Sequence, residues 1–87
     1  MALFQVHRDI TGWTEEDLDA AAIRTQTCAA WFDGMRWIRS FLNPVDEALV
    51  CYYEAASEAD IRSHAAAADV PCGRVVEVRE VVPLELE

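Results

Sequence analysis

The hydrophobic period of this chain alternates between two residues and about 3.6 in the order β-α-β-β-α-β, and few folds accept that order. Leu3 to Asp9 alternates, with Phe4 and Val6 on one side and Gln5 and His7 on the other, as a first strand requires. After Gly12, Thr14 and Asp17 form a capping-box pattern with the shorter acid in place of glutamate, and Glu15 and Glu16 suit a helix N-terminus. Leu18, Ala21, Ala22, Thr25, Cys28, Ala29 and Phe32 follow at helical spacing until Gly34, the expected stop.

From Met35 to Leu42 the run MRWIRSFL is apolar and aromatic, NPVDEA is a polar turn, and Leu49 to Tyr53 is apolar again, which predicts a hairpin. Ser57 and Asp60 open a second helix whose inward stripe is Ile61, His64, Ala65 and Ala68. Pro71 and Gly73 break the chain. RVVEVREVV then alternates as the last strand, with Val76, Val78 and Val82 opposite Val75, Glu77, Arg79 and Val81, until Pro83. Residues 1–87 are therefore expected to be one α+β domain, a ferredoxin-like sandwich with a four-stranded antiparallel sheet and two helices on one face.

Two helices leave the other face of the sheet uncovered. The chain is 53% hydrophobic and includes Trp13, Trp31 and Trp37, more indole than so small a core easily encloses. Pairing of two such faces into a dimeric α/β barrel is the expected remedy, giving a homodimer whose interior or rim could hold a small-molecule ligand.

A net charge of -9 gives the wrong sign for nonspecific nucleic-acid binding. No stretch approaches a bilayer span and no signal segment is evident, so the expectation is a cytoplasmic protein with neither nucleic-acid nor membrane partners. Cys28, Cys51 and Cys72 are odd in number and lack CxxC spacing, and read as reduced thiols. GxGxxG, P-loop, nucleophile-elbow and HExxH motifs do not occur, and no nucleotide cofactor is predicted.

The side chains with chemistry fall into two predicted groups. Arg8, Cys51, Tyr53 and His64 should lie under the helices. An inward His64 can complete a buried hydrogen-bond network, ligate a metal or move a proton. Cys51 suits a core position or, as a thiolate beside Arg8, a metal site. A buried Arg8 demands a partner, either Glu54, another carboxylate or a ligand anion. Glu54 itself has the parity opposite to Cys51 and Tyr53, or ends the strand. The second group is His7, Glu77 and Arg79, which could share the dimer-facing side as cross-strand pairs or as an intersubunit cation site.

The segments VHRDITGWTEEDLDAAA, MRWIRSFL, VCYYEA, ADIRSHAAAADVP and RVVEVREV, taken together, resemble the small actinobacterial nickel-responsive proteins grouped under a domain of unknown function. The resemblance covers nearly the whole chain. It implies a ferredoxin-like fold, dimers, and binding of nickel or a similar divalent metal without an established catalytic reaction. It supplies no ligand list. The positions it marks are Arg8, Trp37, Ser40, Cys51, Tyr53, Glu54 and His64, while His7 stands where an acidic residue is commoner. That exchange adds an imidazole or removes a carboxylate.

Two functions compete on this basis, with a purely partner-binding module as a third. The first is a noncatalytic metal-binding homodimer for metal response or buffering, with His64, Cys51 and His7 as candidate metal ligands. The second is a small isomerase, cyclase or monooxygenase-like enzyme using an apolar pocket, with His64 as acid/base, Arg8 positioning an anion and Tyr53 donating a hydrogen bond. Trp37, Glu54, Glu77 and Arg79 are the remaining pocket candidates.

Overall fold

Strand β1 (Ala2–Asp9) buries Phe4, Val6 and Arg8 while Leu3, Gln5 and His7 between them stay half-exposed, so one face of it is packed and the other is not. The computed structural model describes residues 1–85, and β1 is followed by α1 (Glu15–Ala29), β2 (Arg36–Asn43), β3 (Ala48–Ala55), α2 (Glu58–Ala68) and β4 (Val75–Val78). The sheet order is β2-β3-β1-β4 with every neighbouring pair antiparallel, the ferredoxin-like arrangement. Among the described residues no helix is long and apolar enough to cross a membrane.

Local chemistry starts both helices where the sequence predicts. Thr14 accepts from the Asp17 amide at 3.2 Å while the Asp17 carboxylate accepts from the Thr14 amide at 2.8 Å, and Ser57 Oγ accepts from the Asp60 amide at 3.1 Å. Each cap satisfies an otherwise orphaned helix N–H and is worth about 1 kcal/mol. The inward stripe of α2 is buried as expected, at Ile61, His64, Ala65 and Ala68. Arg24, reaching across from α1, donates to the carbonyls of Ala68 at 2.8 Å and Asp69 at 3.3 Å, which ties the end of α2 to the neighbouring helix.

Helix α1 stops at Ala29, short of Gly34. Its last carbonyls are taken by tight turns instead, Trp31 N–H to Cys28 and Phe32 N–H to Ala29, and Gly34 at φ 72° belongs to the turn that leads into β2. Strand β4 is also shorter than the alternation RVVEVREVV suggests. It pairs Val75 with Val6 and ends with Val78 against Leu3, one residue from the start of β1, so little of that strand is left for Arg79 to pair with.

The sheet and α2 share a core of Phe4, Val6, Cys51, Tyr53, Ala55 and Ile61, and the helix–helix contact buries Ala21, Cys28, Ala65, Ala68 and Val70. Before β4, Gly73 donates its N–H to the His7 carbonyl at 2.9 Å, and a Cβ at Gly73 would stand 3.0 Å from that oxygen. Only glycine accepts so close an approach without a shift. This contact sets the Pro71–Gly73 segment against the end of β1, beside Arg8.

Candidate functional site

Arg8 is a buried guanidinium, 3% exposed, on the helix-facing side of central strand β1. Its Nη1 donates to the Pro71 carbonyl at 2.6 Å and its Nη2 to Tyr53 Oη at 3.1 Å, with the guanidinium carbon 5.8 Å from the Tyr53 ring centre. Both oxygens are neutral. The expected carboxylate is missing: Glu54 points to the open face and pairs there with Arg36 at 2.7 Å, and among the described residues no carboxylate forms a salt bridge with Arg8. Parity decides this, because Glu54 alternates with Tyr53 along β3 and cannot face the same side as Arg8.

A buried cation without an anion costs several kcal/mol unless dipoles or a ligand offset it. Burial lowers the pKa of Arg8, but the neighbouring Tyr53 and Cys51 raise it, and the net direction is upward. The guanidinium therefore stays charged. Burial raises Tyr53 while Arg8 partly offsets it, and its pKa is pushed up to about 12, so the phenol remains a neutral hydroxyl.

Arg8 forms part of the wall of a cleft of about 200 Å³ between α1 and the sheet. Trp13, Leu18, Ala21, Ala22, Thr25 and Asp19 contribute from the α1 side, and Trp37, Ser40, Leu49, Cys51 and Tyr53 from the strands, with Val70 at one end. Trp37 stacks on Tyr53 at 6.5 Å and donates its indole N–H to Ser40 Oγ at 2.9 Å. The structure thus brings Arg8, Cys51, Tyr53 and Trp37 together in one cleft.

His64 is a neighbour of this group without reaching the cleft. It is fully buried, its ring centre 5.5 Å from that of Tyr53 and 5.9 Å from that of Phe32. Its Nε2 lies 2.9 Å from the Thr25 carbonyl, and since a carbonyl only accepts, Nε2 carries the proton. Burial, opposed by the Thr25 bond and reinforced by the charge of Arg8, lowers its pKa, so the ring is neutral and Nδ1 is a buried lone pair with no partner. His64 thus packs behind Tyr53, where its side chain braces α1 against α2.

The open face is built differently. Tyr52 Oη accepts from Gln5 Nε2 at 2.9 Å, and His7 Nε2 lies 3.0 Å from Gln5 Oε1, which can only accept. His7 therefore donates from Nε2 and presents its Nδ1 lone pair. Beside this row lies a shallow concavity of about 450 Å³ lined by Leu3, Gln5, Ile38, Arg39, Phe41, Tyr52, Val78, Arg79 and Glu80. Phe41 is 59% exposed there.

The predicted trio on this face is only partly assembled. Glu77 pairs with Phe4, and residues directly opposite in a sheet share a face, so Glu77 lies on the helix side and away from His7. Arg79 follows the end of β4 and borders the open-face concavity with Glu80. The sequence pattern does not mark Trp13 and Asp19 as cleft walls, nor the Pro71 carbonyl, whereas Ser40 is among the positions the resemblance marks. Trp13 directly precedes the Thr14 cap, where an apolar residue commonly folds back over the helix start, and that position was the available signal. A backbone carbonyl carries none.

As a metal centre, one chain falls short. Among the described residues no three His, Cys, Asp or Glu side chains are grouped to hold an ion. The imidazole that is half-exposed is that of His7, whereas His64 and Cys51 are enclosed.

A family model described as SCO4226-like, nickel responsive protein SCO4226-like, matches residues 4–78. The crystal structure of SCO4226 from Streptomyces coelicolor A3(2) is similar, with a TM-score of 0.79 and 20% identity, covering 93% of this chain and 100% of that one. At that identity the likeness shows the fold alone. No curated protein matches the chain.

Proposed function

The chain belongs to the SCO4226-like family of nickel-responsive proteins, and from that premise we propose a cytosolic, noncatalytic homodimer that binds nickel or a similar divalent cation in metal response or buffering. The observation that carries this reading is the family match, which spans residues 4–78 and so reaches from within β1 to the end of β4 and contains both helices. The reading puts the ion between two copies, with His7 from each open face as the imidazole ligands, since among the described residues one chain groups no three His, Cys, Asp or Glu side chains. Glu80, in place of Glu77, is a carboxylate on that side, where Glu54 is already paired with Arg36.

Pairing of the open faces would also cover Phe41 and the concavity beside Tyr52, the apolar surface the helices leave bare. Calorimetric titration with nickel tests the proposal. Wild-type protein is expected to take up nickel, and His7→Gln to weaken that uptake roughly tenfold or more. Absence of nickel uptake by the wild type would contradict the metal reading, and undiminished uptake by His7→Gln would move the site off the open face.

A further inference from the structure

We infer that the cleft between α1 and the sheet binds a small organic monocarboxylate, its carboxylate on Arg8 and its apolar body against Trp13 and Trp37. The first support is the unpaired charge. A guanidinium has five N–H donors, and two of those of Arg8 go to neutral protein oxygens, those of Pro71 and Tyr53, so a buried fork is left with no anion to receive it. Ser40 adds a second donor. Its oxygen already accepts from the Trp37 indole, and its own hydroxyl proton is free to point into the cleft.

The walls define the rest of the ligand. Two indoles and small aliphatic side chains surround a space of about 200 Å³, below the roughly 300–1,000 Å³ of sites for drug-sized molecules. An aromatic or short aliphatic acid has that size. Charge sets the valence, because the lining holds one guanidinium and one carboxylate, that of Asp19, in a chain of net charge -9, and a phosphate dianion would meet more repulsion than attraction. The site is independent of the open-face metal proposal and needs neither nickel nor a second copy.

Thermal unfolding and tryptophan fluorescence of the metal-free wild-type protein with sodium benzoate test it, against benzamide as the neutral isostere and sodium chloride at equal ionic strength. Benzoate at roughly ten times its Kd should raise Tm by about 8 °C and perturb the indole emission, whereas benzamide and chloride should shift Tm by less than about 1 °C. Arg8→Met should reduce the benzoate response to the benzamide level. Ala22→Phe, which fills the cleft and keeps the guanidinium, should abolish it as well, and serves if Arg8→Met does not fold. No response to benzoate, an equal response to benzamide or chloride, or a benzoate response that survives in Ala22→Phe would overturn the inference.

Discussion

Tyr52 and Tyr53 are adjacent in β3 and meet opposite conditions. Tyr53 is fully buried among Arg8, Trp37 and His64, while Tyr52 is half-exposed on the open face and hydrogen-bonded through Gln5 to His7. One face is closed over a cation that has only neutral partners. The other carries a satisfied polar row beside apolar surface that no described residue covers. The two proposals follow this difference: the anion is assigned to the cleft on the closed face, and the cation and second copy to the open face with its half-exposed imidazole.

Truncating the two tyrosines gives the largest expected contrast. Tyr53→Ala removes a fully buried aromatic and should cost about 3–5 kcal/mol in urea unfolding, while Tyr52→Ala should cost roughly 1 kcal/mol in dilute protein. Equal losses would mean that the open face is as thoroughly packed as the closed one. If the open faces pair, the cost of Tyr52→Ala should grow with protein concentration.

His64 makes the closed face sensitive to acid. Its folded pKa is lowered, so below the ordinary histidine value of 6.5 the unfolded chain takes up a proton that the buried ring refuses. Stability should therefore be full above that value and fall as pH drops through it towards the folded pKa. Comparing urea midpoints at about pH 5 and about pH 8 should show less of this loss in His64→Gln than in the wild type. An unchanged pH dependence would place the titrating group elsewhere.

Arg8→Met should change stability by only about 1 kcal/mol in either direction, because relief of a desolvated charge opposes the loss of two hydrogen bonds. A loss above roughly 3 kcal/mol, the usual cost of breaking a buried ion pair, would show that the guanidinium has an anionic partner after all. Smallest is Glu54→Gln on the open face. Its bridge to Arg36 has side chains 67% and 37% exposed, and chemical denaturation should register about 0.5 kcal/mol or less.

How far the sequence could be read depended on whether a feature was local. The stripe Ile61, His64, Ala65 and Ala68 and the caps at Thr14 and Ser57 follow from spacing within one element, and the structure has them. The pairing of His7 with Glu77 needed the register of β4 on β1, which a one-residue slip inverts. That register is held by the approach of Gly73 to the His7 carbonyl, a tertiary contact with no local pattern. Arg8 illustrates the same limit. Burial was legible from strand parity, and the need for a partner followed from physics, but the partners are a tyrosine hydroxyl and a backbone oxygen, and the second of these no sequence pattern marks.

Native mass spectrometry of the protein isolated with nickel present tests the division between the faces most directly, because it reports assembly and bound metal in one spectrum. The account predicts a two-chain species carrying nickel, with both the metal and much of the dimer lost in His7→Gln. A single chain without metal at micromolar concentration would contradict it.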